Sequence, residues 1–592
     1  MQNAIAFANN DVITVAWSYG QKLERCMGFA VYRVDSKGKE TALPAVAVFP
    51  GFKRAATDTC EKFPIQKFYW KDVYVRLVAE RTGERKFRYK VVPLEGEPGS
   101  LLPMHIPQVT SNEVEISSRI SDTTHAYFNR GLISTQRIAR ALQGKPSKKG
   151  LLDHIENPND ALRASLSGDM VEALSDFVAR AKSGGKLYAA LYELHDEELV
   201  GLLEKAGKKL SIVLSNAMQQ EVRPQGESGP PAPAVDGNQD ARDRLTKTAA
   251  AMHSRLLPNN QIGHNKFVVY VDKAGHPRAV LFGSTNWTPT GLCAQTNNTI
   301  VLDNAKAAQR YLDYWKQLKA DTLEAKTDPK ALQGATLRGW DTAGKDVPLG
   351  PDGKLTSWFS PNTPKLRSSS TANEKRPPDM ADVVKAVEGA KHAVLFLVFY
   401  PGSPNVAQWA ADAQRANKDL FVRGCVTNPS ASESFYYELH GITPPKGGTT
   451  PRKEDRRVIA ADALDEKSAP AGWLKEILNA GFAIIHDKVV VIDPFSDDCV
   501  VITGSHNLGH KASFNNDENL AIIRGNRKLA EAYASHVLDV YDHFAWRVAQ
   551  KDPRQKGDGF LKVKSDDWQA KYFNADGSIR VAQLRFWLSA LS

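Results

Sequence analysis

Two apolar runs with matching polar borders are the most regular feature of the chain. The first lies in HNKFVVYVD, which begins at His264, and the second lies in HDKVVVID, which begins at His486. A short run of Val and Ile between polar residues predicts a buried strand. Because side chains alternate along a strand, His264 and Lys266 are expected on one face, and His486 and Lys488 share a face in the second copy.

The residues downstream of each run repeat as well. GSTNW begins at Gly283 and GSHNL at Gly504, so that the His and the Asn are 22 residues apart in the first copy and 21 in the second. The difference falls in the loop KAGHPR, where a turn absorbs it. Asn297 and Glu518 each stand 11 residues after the Asn of their copy. They are therefore equivalent positions with different side chains.

The helix and strand patterns around the two copies also match. DMVEALSDFVARAKSGGKLYAALY from Asp169 and DMADVVKAVEGAKHAVLFLVFY from Asp379 each predict an amphipathic helix, a turn and a strand, and a second helix and strand follow in both. An aromatic strand precedes each of them, AYFNRG from Ala126 and SWFSPN from Ser357. Alternating strands and helices predict mixed, mostly parallel sheets flanked by helices. The predicted fold class is α/β, with two pseudo-symmetric lobes.

The two ends of the chain have no counterpart in this duplication. Short strand-like segments rich in aromatic and β-branched residues predict an N-terminal β-sandwich. Its segments AWSY and FRYKVVPL resemble a fibronectin type III module, which implies a docking or spacing role. The tail contains Trp568 and Trp587, and it is expected to pack on the second lobe. The predicted domains are the β-sandwich module 1–112, the first lobe 113–350, the second lobe 351–545 and the C-terminal extension 546–592.

Composition and charge limit the kinds of partner and the cellular compartment that we expect for this chain. The chain has 592 residues and a formal net charge of +10, which favours polyanions or anionic surfaces as partners. Its five cysteines have no metal-like spacing and are expected to be reduced, buried thiols. The first residues do not form a signal peptide, and the longest apolar run, Ala393 to Tyr400, is too short to span a bilayer. We expect a cytoplasmic protein, or one exported without a cleavable signal, with no transmembrane segment.

The doubled pattern His-x-Lys-x4-Asp followed by Gly-Ser-x-Asn resembles the phospholipase D superfamily, and the resemblance covers about residues 126 to 545. The second copy matches fully and ends at Asp493, whereas Asp272 stands one position late in the first copy. The resemblance implies two phospholipase D-like lobes, a phosphohistidine intermediate and a phosphodiesterase that works without a cofactor.

The residue types suit that chemistry. Histidine serves as a nucleophile or as an acid, because its ordinary pKa of about 6.5 leaves both forms accessible. Lysine and asparagine side chains hold the non-bridging oxygens of a phosphoryl group. A metal site is not expected, because no cluster of His, Cys or carboxylates has ligand spacing. The predicted catalytic residues are His264, Lys266, Asn286, His486, Lys488, Asn507 and Glu518, the predicted substrate-binding residues are Ser284, Ser505 and Asn297, and Asp272 and Asp493 are predicted to support the strand ends.

The difference between Asn297 and Glu518 suggests how the two histidines divide the work. A carboxylate beside an imidazole stabilises its charged form, and an amide does not. If Glu518 contacts His486, that ring stays protonated and acts as the acid. His264, near Asn297, then stays neutral and attacks phosphorus.

Three functions remain open. The first is a phospholipase D that cleaves or transfers a phospholipid headgroup, favoured because both motifs stand on one chain. The second is an endonuclease or another nucleic-acid phosphodiesterase, favoured by the basic charge. The third is an inactive binding protein that retains the fold and uses its β-sandwich to bind a protein partner. We expect a monomer with an internal pseudo-dimer.

Overall fold

The computed structural model describes residues 3–129, 131, 148–219, 235–367, 374–444, 453, 455–461, 485–551, 561–564, 566–573 and 579–591. All five cysteines are buried thiols outside any disulfide. In these ranges, none of the helices combines the length and the apolar character needed to cross a lipid bilayer.

The N-terminal region is rich in sheet. Strands β1 to β5 are Ala4–Ala8, Ile13–Trp17, Gly28–Val34, Glu40–Ala42 and Tyr69–Asp72, followed by helix α1, Val75–Thr82, and by β6 to β9, Lys86–Glu97, Ser100–Pro103, Val109–Thr110 and Val114–Glu115. They form a three-stranded sheet in the order β1-β2-β5 and a second sheet built around β3 and β6. Trp17 and Phe29 pack between these strands at a ring distance of 5.3 Å. This packing confirms a sheet-rich N-terminal region, and the likeness to fibronectin type III stays a prediction.

The first lobe is a seven-stranded sheet with helices around it. Its strands β10 to β18 are Thr124–Asn129, Lys186–Leu191, Leu210–Ser215, Met218–Gln219, Val235–Asp236, Ala251–Arg255, Lys266–Val271, Pro277–Gly283 and Asn297–Leu302. Its helices α2 to α9 are Lys148–Glu156, Ala161–Ser167, Met170–Ala179, Glu197–Ala206, Gln239–Thr248, Pro289–Cys293, Ala305–Ala325 and Ala335–Asp341. The sheet order is β10-β18-β17-β16-β11-β12-β15, and β13 pairs with β14 outside it.

The second lobe repeats this order. Its strands β19 to β26 are Lys345–Pro348, Lys354–Ser360, Ala393–Val398, Phe421–Val426, Val458–Ala460, Lys488–Ile492, Val500–Gly504 and Glu518–Arg524. Its helices α10 to α14 are Pro378–Glu388, Val406–Ala416, Pro429–His440, His510–Asn515 and Arg527–Lys551. The sheet order is β19-β20-β26-β25-β24-β21-β22-β23, which is the order of the first lobe with β19 added at one edge. The pseudo-symmetric pair of α/β lobes is confirmed.

The sheets are mixed, but antiparallel pairs outnumber parallel pairs, which corrects the expectation of mostly parallel sheets. In the first lobe, only β11 with β12 and β12 with β15 are parallel among six pairs. These parallel pairs are joined by helical crossovers. The strand after the His, β16, instead returns through a short turn into β17, and a turn of that length permits only an antiparallel pair.

Polar contacts join the two lobes in matching pairs. The backbone N–H of His264 donates to the Asp517 carbonyl at 2.9 Å, and the N–H of His486 donates to the Thr296 carbonyl at 3.1 Å. Asp517 and Thr296 directly precede the equivalent residues Glu518 and Asn297. The start of each His strand is therefore fixed against the opposite lobe at the equivalent position.

The C-terminal segment ends in two helices, α15, Ala570–Phe573, and α16, Ile579–Leu591. Trp587 of α16 lies 5.0 Å from Tyr69 of the N-terminal region and 6.1 Å from Phe421 of the second lobe, between ring centroids. Helix α16 thus contacts both the second lobe and the N-terminal strands.

Candidate active site

The two predicted histidines meet at the interface between the lobes. His264 precedes β16 and His486 precedes β24, and their ring centroids are 6.2 Å apart at an interplanar angle of 74°. The residues are 4% and 3% exposed, so little of either ring faces bulk solvent. At this separation both rings can contact a single phosphate group.

Each histidine receives its hydrogen-bond acceptor from the opposite lobe. His264 Nδ1 lies 2.9 Å from Glu518 Oε2 and 3.0 Å from the Ser505 carbonyl, and His486 Nδ1 lies 2.9 Å from Asn297 Oδ1. The expected contacts of Glu518 with His486 and of Asn297 with His264 are therefore wrong. Position within a copy could not reveal this, because the first residue of β26 or β18 faces across the pseudo-twofold axis.

These contacts also fix the tautomers. Asn297 Nδ2 donates to the Gly291 carbonyl at 2.8 Å, which orients its Oδ1 towards His486. Because Nδ1 of each ring meets only acceptor atoms, Nδ1 carries the proton in the neutral form and Nε2 is left for the substrate.

The buried position changes the proton affinities of these groups. Burial lowers the pKa of His264 to about 4, with Lys266 adding to the effect and Glu518 opposing it. Burial, Lys488 and Lys266 lower the pKa of His486 well below its ordinary value. Burial alone raises the pKa of Glu518, but the contact with His264 outweighs it and the pKa falls to about 2. At neutral pH the site therefore holds two neutral imidazoles and an ionised carboxylate.

The two lysines lie beside the histidines in equivalent positions. Lys266 Nζ donates to the His264 carbonyl at 2.7 Å, and Lys488 Nζ donates to the His486 carbonyl. Both side chains are buried. Burial lowers the pKa of Lys266 to about 7 and that of Lys488 well below its ordinary value. An anion placed between them favours their charged forms, so the lysines form a site for phosphoryl oxygens.

The remaining predicted residues lie around this centre. Asn286 is buried and donates from Nδ2 to Glu193, and Asn507 is partly exposed. Ser284 Oγ donates to Asn297 Oδ1 at 2.8 Å, and Ser505 Oγ accepts from the Asn519 N–H at 3.0 Å. Both hydroxyls thus have protein partners that hold the turn before the next strand.

The two aspartates lie away from the histidines. Asp272 accepts from the N–H groups of Ala274 and His276 and from Arg278, and its pKa is lowered to about 2 by the backbone N–H of His276 and by Arg278. Asp493 accepts from three successive backbone N–H groups that begin at Lys391. Both carboxylates hold backbone turns at strand ends.

Three site residues were missed by the sequence analysis. The Tyr192 ring lies 5.1 Å from the His264 ring, and the Phe399 ring lies 5.1 Å from the His486 ring. They directly follow β11 and β21, two strands that the repeat pairs with each other, so the sequence contained a signal for them. Glu193 follows Tyr192 and has no acidic counterpart after Phe399. Among the described residues, no cluster of three or more His, Cys, Asp or Glu side chains is arranged to hold a metal ion.

Comparisons with known proteins find similarity to one family. Residues 426–539 match the family model described as "Cardiolipin synthase, PLD-like domain". This segment contains the second His and Lys pair and the Gly-Ser-x-Asn that follows it. No curated protein matches the chain.

Solved structures with remote similarity are also found. Phosphatidylserine synthase of Haemophilus influenzae is 12% identical, with a TM-score of 0.37 over 71% of this chain and 91% of its own. Yeast tyrosyl-DNA phosphodiesterase is 9% identical, with a TM-score of 0.29 over 60% and 87%. The phospholipase D family member Nuc of Salmonella typhimurium is 19% identical, with a TM-score of 0.18 over 25% and 84%.

Proposed function

The chain belongs to the phospholipase D superfamily, and we propose from this premise that it is a metal-independent phosphodiesterase which hydrolyses or transfers the headgroup of phospholipids through a phosphohistidine intermediate. The observation that carries this proposal is the pair of buried imidazoles with centroids 6.2 Å apart, each with its Nδ1 held by the opposite lobe. Two lysines and Asn286 surround the same space and supply donors for the phosphoryl oxygens.

In the proposed reaction, Nε2 of His264 attacks phosphorus. The bound phosphate anion favours the charged form of His486, which takes up a proton from solvent on Nε2. The new P–N bond forms as the P–O bond to the alcohol breaks, and Nε2 of His486 gives this proton to the departing oxygen. Water, or an acceptor alcohol, then gives a proton to His486 and attacks phosphorus, and the P–N bond breaks. Lys266 and Lys488 hold the non-bridging oxygens in both steps.

The corrected hydrogen bonds give a new reason for assigning the nucleophile to His264. A phosphorylated imidazole that keeps its Nδ1 proton carries a positive charge for the lifetime of the intermediate. Glu518 stabilises that charge through the Nδ1 proton, as a carboxylate does for a histidine that becomes charged during catalysis. His486, with the neutral Asn297 as its partner, gives up a proton more readily and suits the acid.

Labelling experiments test this division. A substrate labelled on phosphorus should leave no covalent label on the His264→Asn variant. The His486→Asn variant should form the label slowly, because its first step lacks the acid, and should then retain it, because its second step lacks the base that activates water. The reverse pattern assigns the nucleophile to His486.

The phospholipid substrate is supported by two observations. Both motifs stand on one chain, and the rings are almost fully buried, which suits a single phosphate on a slender headgroup better than a phosphate within a duplex. The second candidate is a nucleic-acid phosphodiesterase, which the net charge of +10 favours.

One assay separates these substrates. The purified chain is incubated in EDTA with headgroup-labelled phospholipid vesicles and, separately, with plasmid DNA and single-stranded DNA. Release of the headgroup by the wild type and not by His264→Asn supports the proposal. Cleavage of nucleic acid alone replaces it by the second candidate, and failure to cleave any of the substrates contradicts both.

A further inference from the structure

Glu193 is held beside the phosphate site by its backbone. The Trp287 N–H donates to the Glu193 carbonyl at 3.1 Å, and the His195 N–H donates to the Trp287 carbonyl at 3.1 Å. The next residue is fixed as well, since the Leu194 N–H donates to Asn238 Oδ1 at 2.9 Å. The segment after β11 is thus tied to the Gly-Ser-x-Asn-Trp stretch of its own lobe, and the direction of the Glu193 side chain follows from it.

The Glu193 carboxylate lies among the groups that hold phosphoryl oxygens. Its Oε2 accepts from Asn286 Nδ2, which leaves Asn286 one N–H for a substrate. Burial raises the pKa of Glu193, and the nearby charges of Lys266 and Lys488 oppose that rise. A carboxylate therefore stands within the electrostatic reach of both lysines, where a phosphate group is expected.

The second lobe has no such group. The residue equivalent to Glu193 is Tyr400, which is 49% exposed. There the chain continues through the longer loop FYPGSPN, and the contact that corresponds to Leu194 with Trp287 is made by Asn405 with Gly509. The carboxylate is thus a departure from the symmetry of the site, and the proposed reaction does not use it.

We infer that Glu193 determines specificity: it makes the phosphate site favour singly charged phosphodiesters over doubly charged phosphate monoesters. The inference rests on the proposed function. With both lysines charged, the carboxylates of Glu193 and Glu518 bring the sum of these four charges to zero. A diester adds one negative charge to the site, whereas a monoester adds nearly two at neutral pH. The Glu193 carboxylate therefore repels a bound monoester more strongly than a bound diester.

The same repulsion acts on the product. Hydrolysis of a phosphodiester forms a monoester, whose second ionisation gives it more negative charge than the substrate. Glu193 weakens the hold of Lys266, Lys488 and Asn286 on that product, and so favours its release after the P–N bond breaks.

Binding of two matched probes tests the inference without turnover. Diphenyl phosphate is a singly charged diester, and phenyl phosphate is the corresponding doubly charged monoester at about pH 8. Their dissociation constants are measured by calorimetry on the full chain carrying His264→Asn, with and without Glu193→Gln. We expect Glu193→Gln to increase the affinity for phenyl phosphate relative to diphenyl phosphate about tenfold, because one nearby charge acts twice as strongly on a dianion.

A matched variant separates a local effect from one of net charge. Glu197 lies four residues along the same segment, is exposed and pairs with Arg244. Glu197→Gln removes the same charge away from the site and should leave the ratio of affinities within about twofold of its starting value. An equal shift in both variants overturns the inference, and so does an unchanged ratio in Glu193→Gln.

Two further measurements distinguish failure of the inference from misfolding of the variant and from failure of the proposed function. If Glu193→Gln does not fold, as judged by thermal unfolding, Glu193→Ser removes the charge in a smaller side chain and is assessed by the same ratio. Cleavage of diphenyl phosphate or phospholipid by the wild type is measured in parallel. Loss of that activity concerns the proposed function alone, because the ratio of affinities comes from binding.

Discussion

Each imidazole of the site donates its Nδ1 proton across the lobe interface, and the two acceptors differ in charge. Glu518 contacts His264 through both oxygens, at 2.9 and 3.1 Å, and Asn297 contacts His486 through one neutral oxygen. An anionic acceptor stabilises a positive ring much more than an amide does. This single difference makes two otherwise equivalent histidines chemically distinct.

Replacing the anionic acceptor tests how far the reaction depends on it. In Glu518→Gln the Nδ1 proton of His264 keeps a partner, but the charge that stabilises the phosphorylated ring is gone. We expect formation of the covalent intermediate to slow by about 100-fold, within the range found for partners of functional histidines. Rapid-quench measurement of a single turnover with a nitrophenyl phosphodiester gives this rate.

The control for that variant is Glu204→Gln, which neutralises a carboxylate paired with Arg244 on the surface of the first lobe. It should retain the wild-type rate. If Glu518→Gln also retains that rate, the carboxylate does not stabilise the phosphorylated ring and the assignment of His264 loses its basis.

The lowered pKa values of the two rings predict proton uptake on binding. Burial lowers the pKa of His264 to about 4 and that of His486 well below its ordinary value, so both rings are neutral at about pH 7 in the free protein. A phosphate anion placed against them favours the charged form and raises these pKa values. Binding of inorganic phosphate should therefore take up protons, and Lys266 and Lys488, whose pKa values are also lowered, contribute to this uptake.

Calorimetry in two buffers of different ionisation enthalpy measures this uptake. We expect His486→Asn to take up about one proton fewer than the wild type, because that ring is the proposed acid, and His264→Asn to take up nearly as many as the wild type. Proton release by the wild type, or equal uptake by His486→Asn and the wild type, contradicts the assignment of the acid.

Among the elements, helix α16 packs against two separate parts of the chain. Trp587 is fully buried and lies within 6.4 Å of Phe7, Tyr69, Phe421 and Phe495, between ring centroids. Two of these rings belong to the N-terminal strands and two to the second lobe. The helix therefore fixes the sheet-rich N-terminal region to the lobe that carries His486.

Removal of that ring should destabilise the folded chain. We expect Trp587→Ala to lower the free energy of unfolding by about 3–5 kcal/mol, the usual loss when a large buried aromatic side chain is truncated. Leu588→Ala is a matched control, because the adjacent Leu588 is 38% exposed and should lose at most about 0.5 kcal/mol. Urea unfolding of both variants makes the comparison, and equal losses would show that α16 does not depend on Trp587.

The strands of the site could be predicted from the sequence because buried strands have a recognisable run of apolar residues. KFVVYV and KVVVI are buried along almost their whole length, so they appear as continuous apolar runs, and duplication places the flanking His, Lys and Asn in equivalent positions. An apolar run does not show whether a strand is parallel or antiparallel to its neighbours. The antiparallel pairing of β16 with β17 depends instead on the short turn between them.

Contacts across the lobe interface could not be predicted from the sequence either. The spacing of Asn297 and Glu518 within their copies is the same whichever histidine each one contacts. Their partners are set by the packing of β18 and β26 against the opposite lobe, where the Asp517 carbonyl accepts from the His264 N–H. Glu193 was missed because it lies outside the repeated His-x-Lys and Gly-Ser-x-Asn stretches, and its equivalent in the second copy, Tyr400, has no acidic group.

At the scale of the whole molecule, the two lobes are joined through buried polar contacts close to the histidines. Asn298 Nδ2 donates to Asp487 Oδ1 at 2.9 Å, and the equivalent Asn519 Nδ2 donates to Asn265 Oδ1 at 3.0 Å. Arg255 of the first lobe binds Asp517 of the second, with both side chains 1% exposed. Opening such an interface leaves buried polar groups without partners, so the lobes are expected to stay together.

A mixing experiment tests whether one chain makes the whole site. His264→Asn and His486→Asn each lack one ring, and neither should turn over substrate alone. If the site forms only within a chain, an equimolar mixture should have no more activity than the two variants measured separately, even after joint refolding from urea. Recovery of about a quarter of the wild-type rate after joint refolding is the statistical yield expected if two chains exchange lobes. That recovery would contradict an intramolecular site, since one chain would then supply His264 and another His486.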